Sequence, residues 1–169
     1  VLILTFNPVA MKKLVVVVFT LFLFASCTEV VFEATQPAGV KAIKSFPKEL
    51  QGEFTFVILN EETVLEIAEK YITNEDGKAY LSDSLVVKKL GNSFVVNRQI
   101  TEPGDKQGKW QTYVLEDKGC GFVKATTFVT SSETYAPVFV EQYAGTELGE
   151  GQSKSIIINP TAAQFNQIM

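Results

Sequence analysis

The sequence has no histidine, and this absence removes most of the familiar catalytic and metal sites. Serine and cysteine triads use an imidazole as general base, and most zinc sites use imidazole ligands. A catalytic cysteine also needs a neighbouring base to form its thiolate. We therefore predict that the protein is not an enzyme and that it holds neither a metal ion nor a cofactor.

Cysteine is also scarce, since Cys27 and Cys120 are the two in 169 residues. Cys120 stands between two glycines beside a predicted turn. A small, partly buried strand residue is the simpler interpretation of Cys120, and a reactive thiol is the alternative. If Cys27 is chemically modified, no partner is left for an intramolecular disulfide.

One long apolar run lies near the start of the chain. Met11 and two lysines lead into it over residues 14–24, and Ala25, Ser26 and Cys27 follow. A basic segment, an apolar segment and small residues before a cleavage site make up a secretory signal peptide. The run is shorter than the roughly 20 apolar residues that span a bilayer. The alternatives are an ordinary signal peptide with an incidental cysteine and a short transmembrane anchor.

The end of this run carries a more specific motif. Phe24, Ala25, Ser26 and Cys27 resemble the lipobox of bacterial lipoproteins. The resemblance implies cleavage before Cys27 and attachment of lipid, including palmitate, to this cysteine. It also implies a lipid-anchored protein of the cell envelope, on the outer membrane and facing the periplasm or the cell surface.

The sequence divides into four predicted segments. Residues 1–10 precede the basic start of the signal and are interpreted as an over-extended start. Residues 11–26 are the predicted signal peptide, which is helical. Residues 27–45 mix charged residues, proline and glycine with scattered apolar ones, and predict a lipid-anchored tether, within which residues 30–32 are alternatively an edge strand. Residues 46–169 predict one folded domain.

The charge of the chain bears on its partners. The net charge is -4, and loss of Lys12 and Lys13 leaves 13 basic against 19 acidic residues, or -6. A mildly acidic surface argues against nucleic acid and against adhesion to anionic lipid. We therefore expect membrane contact through the lipid on Cys27, with an envelope protein as a possible partner. A small-molecule ligand is compatible with this composition but is not indicated by it.

Short alternating segments separated by turn signals fill residues 46–169. Phe54, Phe56 and Ile58 alternate with other residues, Phe94 and Val96 share one face of another segment, and a strong hairpin turn ends in Gly77. Such a pattern predicts a mainly β fold, an antiparallel meander curled into a barrel or folded into two layers.

Other elements are predicted around this meander. Residues 47–50 predict a short helix, and residues 137–143 a strand, although their apolar run is also compatible with a helix. Residues 145–151 predict a loop. Residues 155–158 predict the last strand, and a C-terminal helix capped by Asn159 follows it, with Phe165 and Ile168 on one face.

Carboxylates are the remaining chemical resource. Candidate pairs for glycoside hydrolysis come from Glu61, Glu62, Glu66, Glu116 and Asp117. Residues 74–77 resemble part of a calcium loop, but the bidentate glutamate that such a loop needs downstream is absent. Because acids in turns are usually solvated, a structural role is the simpler interpretation for both groups.

Aromatic residues form 11% of the chain, enough either to fill a core or to line a cavity. The candidates are Phe94, Trp110, Tyr113, Phe122 and Phe128. A small β domain needs large apolar side chains in its interior, so a core is the simpler interpretation. We expect Trp110 in particular to be buried.

Two resemblances complete the sequence analysis. The segment from Phe46 to Phe54 resembles the start of a lipocalin-type barrel, with Phe54 in place of the usual tryptophan. The lipobox, this segment, Trp110 and the Asn159-Pro160 pair together resemble uncharacterised lipoproteins of Bacteroidetes. That resemblance implies a location and a fold but no activity.

Two functions follow as hypotheses. The first is a non-enzymatic envelope protein that acts as an interaction or accessory module. The second is a lipocalin-like carrier that holds an apolar small molecule in a β-barrel. A packed interior favours the first function, and an internal cavity favours the second.

Overall fold

A computed structural model describes residues 27–58, 61–75, 77–119, 122–131, 136–149 and 154–169. The predicted over-extended start and signal helix, residues 1–26, lie outside the described residues, as does Cys120. The secondary structure is 49% strand and 14% helix, so the predicted mainly β fold is confirmed.

The described elements alternate short strands with tight turns. In chain order the strands are β1 (Cys27–Phe32), β2 (Gly52–Ile58), β3 (Glu61–Ile67), β4 (Tyr71–Asn74), β5 (Gly77–Tyr80), β6 (Leu85–Leu90), β7 (Ser93–Gln99), β8 (Trp110–Gly119), β9 (Phe122–Thr127), β10 (Val129–Ser131), β11 (Thr146–Leu148) and β12 (Ser155–Ile158). The helices are a 3-10 turn (Lys48–Leu50), α1 (Ala136–Gln142) and α2 (Ala162–Ile168). The 3-10 turn follows Pro47, as predicted for residues 47–50.

These strands form two sheets within the described residues. Sheet A follows the order β11-β12-β1-β8-β7-β6, with β9 beside β8 and β10 beside β1, and it curls into a half-barrel. Sheet B is the meander β2-β3-β4-β5. The predicted antiparallel meander is confirmed from β2 to β5 and from β6 to β9. The pair β1–β12 differs, because it is parallel.

The central strands of sheet A are buried on both faces, as β7 illustrates. Phe94 and Val96 point to one side and belong to the core between the two sheets, as their predicted common face requires. Val95 points to the other side and belongs to the core under the helices. Successive strand residues alternate between faces, so a run of apolar residues fits a strand that is covered on both sides.

The helix-side core is centred on three phenylalanines from distant parts of the chain. The Phe32 ring lies 5.3 Å from the Phe128 ring and 5.8 Å from the Phe165 ring, measured between centroids, and both pairs meet edge to face. Phe128 and Phe165 are 5.7 Å apart. The other buried members are Val30, Val95, Val114, Ala136, Tyr143, Ile156 and Ile158. Edge-to-face contacts add to the apolar burial of these rings.

The sheet-side core lies between sheets A and B. Its buried members are Phe46, Leu50, Ile67, Leu85, Val87, Phe94, Val96 and Leu115. Phe54, Leu65, Ile72 and Ala79 of sheet B pack against it. The molecule is therefore layered, with helices on one face of sheet A and sheet B on the other.

The predicted tether over residues 27–45 is wrong. β1 pairs with β12 on one side and with β10 and β8 on the other, so it is an interior strand and not the edge strand held open as an alternative. Val30, Val31 and Phe32 are at most 3% exposed. Burial of such side chains contributes about 1.5–3 kcal/mol apiece, which holds the strand in place. The folded unit therefore includes β1 and does not begin at Phe46.

The segment after β1 is also attached to sheet A. Gln36 is fully buried. The backbone N–H of Ile43 donates to the Val87 carbonyl at 2.8 Å, and Ala42 forms a bridge with Lys88. This segment covers the β6 side of the sheet, which would otherwise present unpaired backbone groups.

Residues 136–142 form helix α1, so the strand predicted for residues 137–143 is wrong. Ala136, Phe139, Val140 and Tyr143 all contribute to the helix-side core. Their spacing of three, four and seven positions places them on one side of a helix. The predicted loop over residues 145–151 also differs, because it contains β11.

The last two predicted elements are confirmed. The strand at residues 155–158 is β12, and α2 places Phe165 and Ile168 in the helix-side core. The helix cap differs from the predicted Asn159, since Thr161 accepts a hydrogen bond from the Gln164 backbone N–H. The Gln164 side chain in turn accepts from the Thr161 N–H at 2.9 Å, which completes a capping box.

Candidate functional site

Cys27, the predicted lipid-attachment residue, is the first residue of β1. Its backbone is paired in register with Ser131 of β10. Thr28 follows it and is fully buried. The predicted attachment point thus lies at one end of sheet A, directly on the folded domain.

The candidate carboxylates hold structural positions. Glu66 accepts a hydrogen bond from the Tyr71 hydroxyl at 3.3 Å. Asp117 accepts one from the Gly119 backbone N–H at 2.8 Å. Glu61 and Glu62 are residues of β3, and their backbones pair with Ile58 and Val57 of β2. The structure describes the backbone of these two residues and not their side chains.

Glu116 forms ion pairs instead of a carboxylate pair. Its Oε2 lies 2.5 Å from Lys118 Nζ and 3.7 Å from Lys124 Nζ. The hydrogen bond from Lys118 holds the pKa of Glu116 below its usual value. A general acid needs a raised pKa, so this carboxylate is poorly suited to donate a proton at neutral pH.

The turn with the partial calcium motif joins β4 and β5. Asn74 and Gly77 are paired across it, and Gly77 has a φ of 135°, which favours glycine. Asp76 lies outside the described residues. Among the described residues, no group of three or more metal-ligating side chains occurs.

The five candidate aromatic residues divide by burial. Phe94 and Phe128 are buried in the two cores, as predicted. Trp110 and Tyr113 are half-buried and pack against the cores, so the predicted burial of Trp110 holds in part. Burial raises the pKa of the Tyr113 hydroxyl. Phe122 is 72% exposed, so the core assignment is wrong for this residue.

A buried polar cluster, formed by Gln36, Lys88, Asn97 and Thr112, was not predicted. The Asn97 side-chain oxygen accepts from the Gln36 backbone N–H at 2.7 Å and from the Thr112 hydroxyl at 3.0 Å. The Asn97 amide donates to the Gln36 carbonyl at 2.8 Å. These bonds satisfy the backbone of a buried segment that has no strand partner at that point.

Lys88 completes the cluster. Its Nζ donates to the carbonyls of Thr35 and Pro37, at 2.8 and 2.9 Å. Burial lowers the pKa of this ammonium group. A buried lysine can serve as a catalytic base or nucleophile when its nitrogen faces a substrate. Here the nitrogen faces two backbone carbonyls, so the cluster fixes the 35–37 segment to sheet A.

We expect Lys88→Met to destabilise the purified mature chain by about 1–3 kcal/mol, because one buried and one half-buried carbonyl lose their donor. Urea unfolding followed by tryptophan fluorescence measures the change. Lys89→Met is the matched control, since Lys89 is the exposed neighbour, and it should stay within about 0.5 kcal/mol of the parent. Equal effects of the two substitutions would contradict a fixing role for Lys88.

Two clefts are the notable concave sites. The helix-side cleft, of about 220 Å³, lies between β8–β9 and the helices, with Val30, Phe128 and Phe139 among its apolar lining and Glu116 and Lys124 among its charged lining. The inter-sheet cleft, of about 560 Å³, is lined by Leu65, Ile72, Lys78, Arg98 and Glu102, among others. Both clefts mix apolar and charged side chains, and the second is the larger.

The outer face of sheet B carries a group of large side chains, which we call the tyrosine face: Val64, Lys78 and Tyr80, which are exposed, and Tyr71, which is half-buried. Tyr71 and Tyr80 are cross-strand partners with ring centroids 5.6 Å apart. Lys78 Nζ lies 3.8 Å from the centre of the Tyr71 ring. Val64 and Tyr80 are 47% and 58% exposed. Their neighbours Leu65 and Ala79 point to the opposite face, toward sheet A.

Comparison with known proteins assigns no family to the chain. In the part of the chain that the structure describes, no helix is long and apolar enough to cross a membrane. Family models, curated proteins and solved structures were each searched, and none matches this chain.

Proposed function

We propose that the protein is a lipid-anchored component of the cell envelope, attached to the outer membrane through Cys27, and that it works by contact with another envelope protein. The lipobox-like motif supports the anchor. The tyrosine face is the observation that supports the contact function. Tyrosine is enriched at protein interfaces because it offers a large rigid apolar surface with a polar tip.

The side chains that could act in catalysis are already hydrogen-bonded or ion-paired, which supports a non-enzymatic function. Glu66, Glu116 and Asp117 are engaged by neighbouring donors. Lys88 is engaged by two carbonyls. No described cluster combines a nucleophile, a base and an orienting group, the combination that covalent catalysis requires.

The carrier of an apolar small molecule is the second candidate, and the apolar side chains Val30, Phe128 and Phe139 in the helix-side cleft favour it. The cleft measures about 220 Å³. Sites for small molecules usually measure about 300–1,000 Å³.

The inter-sheet cleft has a volume in that range, about 560 Å³, but Lys78, Arg98 and Glu102 line it, and these charges do not suit an apolar ligand. Core side chains cover both faces of the central strands of sheet A, where a lipocalin-like carrier would need a cavity. The contact function therefore has the better support.

Site-specific photo-crosslinking in intact cells tests the contact function. A photoreactive residue at Tyr80 should give one discrete adduct with an envelope protein, whereas one at Val138, which is 49% exposed on α1, should not. Val64→Ser should weaken this adduct, and Val64→Ser combined with Tyr80→Ser should abolish complementation of a deletion strain. Val138→Ser should preserve both.

Three outcomes would contradict this assignment. Full complementation by the chain with both Val64→Ser and Tyr80→Ser would show that the tyrosine face is not required for function. Loss of function in Thr126→Phe, which fills the helix-side cleft, with normal folding and membrane level, would favour the carrier. Loss in Glu116→Gln alone under the same conditions would favour catalysis.

A further inference from the structure

β1 leaves no spacer between the proposed lipid and the folded domain. Cys27 is paired with Ser131 of β10, and Thr28, one residue further, is already fully buried. On the other side of β1, Glu29 is paired with Ser155 of β12. The chain is thus part of sheet A from the residue that would carry the lipid.

The dimensions of a bilayer give this arrangement a consequence. Each headgroup layer is roughly 5–8 Å thick, because a bilayer measures about 40–45 Å and its hydrocarbon core about 30 Å. One residue of strand advances about 3.3 Å. A free segment over residues 27–45 would have reached about 60 Å. With acyl chains in the hydrocarbon core, one residue of strand is too short to carry the domain past the headgroups.

The register identifies the part of the domain that must lie there. Ser131 ends β10, Ser155 begins β12, and Leu148 of β11 is paired with Ser155. These residues and Cys27 form what we call the anchor rim. Trp110 marks the opposite end, because it is paired with Phe32, five residues or about 17 Å along β1 from Cys27.

We propose that the anchor rim lies in the lipid headgroup layer and holds the domain on the bilayer in one orientation, with Trp110 and the loop before it directed away from the membrane. This inference rests on the proposed lipid anchor at Cys27. The partner of the anchor rim is the zwitterionic headgroup surface itself. The lipid supplies the affinity, and the absence of a spacer supplies the orientation.

Tryptophan quenching by lipid tests the orientation. The lipidated protein is purified from its own membrane and reconstituted in phosphatidylcholine vesicles that contain a lipid with a nitroxide on its headgroup. Trp110, the single tryptophan of the chain, is the distal probe. Trp110→Phe combined with Leu148→Trp gives the rim probe, and Trp110→Phe combined with Lys154→Trp gives a second one, at a half-buried position paired with Glu147. Both rim probes should be quenched several-fold more than Trp110.

A linker variant is the matched control. Twelve glycine and serine residues inserted between Cys27 and Thr28 provide the missing spacer. The linker chain should remain bound to the vesicles, while quenching of its rim probe falls to the level of Trp110. Circular dichroism and cooperative unfolding check that each probe variant is folded. If Leu148→Trp does not fold, Lys154→Trp carries the comparison.

The outcomes separate the orientation from the anchor. Equal quenching at both ends of a lipidated, vesicle-bound protein would overturn the orientation and leave the anchor intact. Unchanged quenching after linker insertion would overturn the argument from the missing spacer. Absence of lipid on Cys27 by mass spectrometry of the purified protein would overturn the anchor, and the orientation with it.

Discussion

Phe32→Ala should destabilise the mature chain by about 3–5 kcal/mol, the usual cost of removing a fully buried phenylalanine. Phe32 is fully buried and contacts the rings of Phe128 and Phe165. The substitution opens a cavity where β1, the β9–β10 corner and α2 meet. Because small domains are stable by only about 5–15 kcal/mol, the loss is a large fraction of the total. Urea unfolding followed by Trp110 fluorescence measures it.

Phe122→Ala is the matched control for this prediction, since it removes the same side chain from a position that is 72% exposed. It should change the free energy of unfolding by no more than about 0.5 kcal/mol. A cost for Phe32→Ala close to that of Phe122→Ala would show that β1 is dispensable. The residues up to Ser45 would then be a tether after all.

Cys27→Ala should abolish lipid labelling of the protein and remove its stable membrane attachment. Several acyl chains hold a protein effectively permanently, at about 0.8 kcal/mol for each buried CH₂, while one chain alone is marginal. The variant should be released or should accumulate as an uncleaved precursor. Incorporation of a palmitate analogue, together with fractionation after an alkaline carbonate wash, measures both effects.

The chain offers a control for that substitution in its other cysteine. Cys120→Ala should retain the label, the cleaved length and the membrane fraction of the parent. Continued palmitate labelling of Cys27→Ala would exclude Cys27 as the attachment residue. If Cys120→Ala loses the label and Cys27→Ala keeps it, the lipid is attached to Cys120 and not to Cys27.

Local patterns predicted the hairpins of the fold but not the partners of the outer segments. Phe94 and Val96 predicted a strand face correctly, and the turn ending in Gly77 predicted the β4–β5 hairpin. Both depend on neighbours in sequence, where turn chemistry and alternation act directly. The pairing of β1 with β12 joins the two ends of the domain, and no local pattern encodes it.

Two errors have identifiable physical causes. The sequence around β1 predicts a tether because Glu29 and Glu33 flank a short apolar run, yet these acids bind Lys106 and Lys109 at 2.6 and 2.7 Å. The short apolar run of α1, taken alone, predicts a strand. The helical spacing of Phe139, Val140 and Tyr143 was the signal available, and it becomes clear once Ala136 is included.

The buried polar cluster was beyond sequence analysis because its parts are far apart. Gln36 and Asn97 are 61 residues apart. Asn97 does give a partial signal, since a polar residue directly follows the apolar run that ends at Val96. A polar side chain in a strand buried on both faces requires hydrogen-bond partners. The sequence alone does not identify those partners.

The most direct test of the lipid anchor is mass spectrometry of the N-terminal peptide of the mature protein, extracted from its own membrane. We predict that the peptide begins at Cys27 and carries the added mass of a diacylglyceryl group, with or without a further acyl chain. A peptide that begins upstream of Cys27, or one that begins at Cys27 without added lipid mass, would contradict the lipid-anchored function.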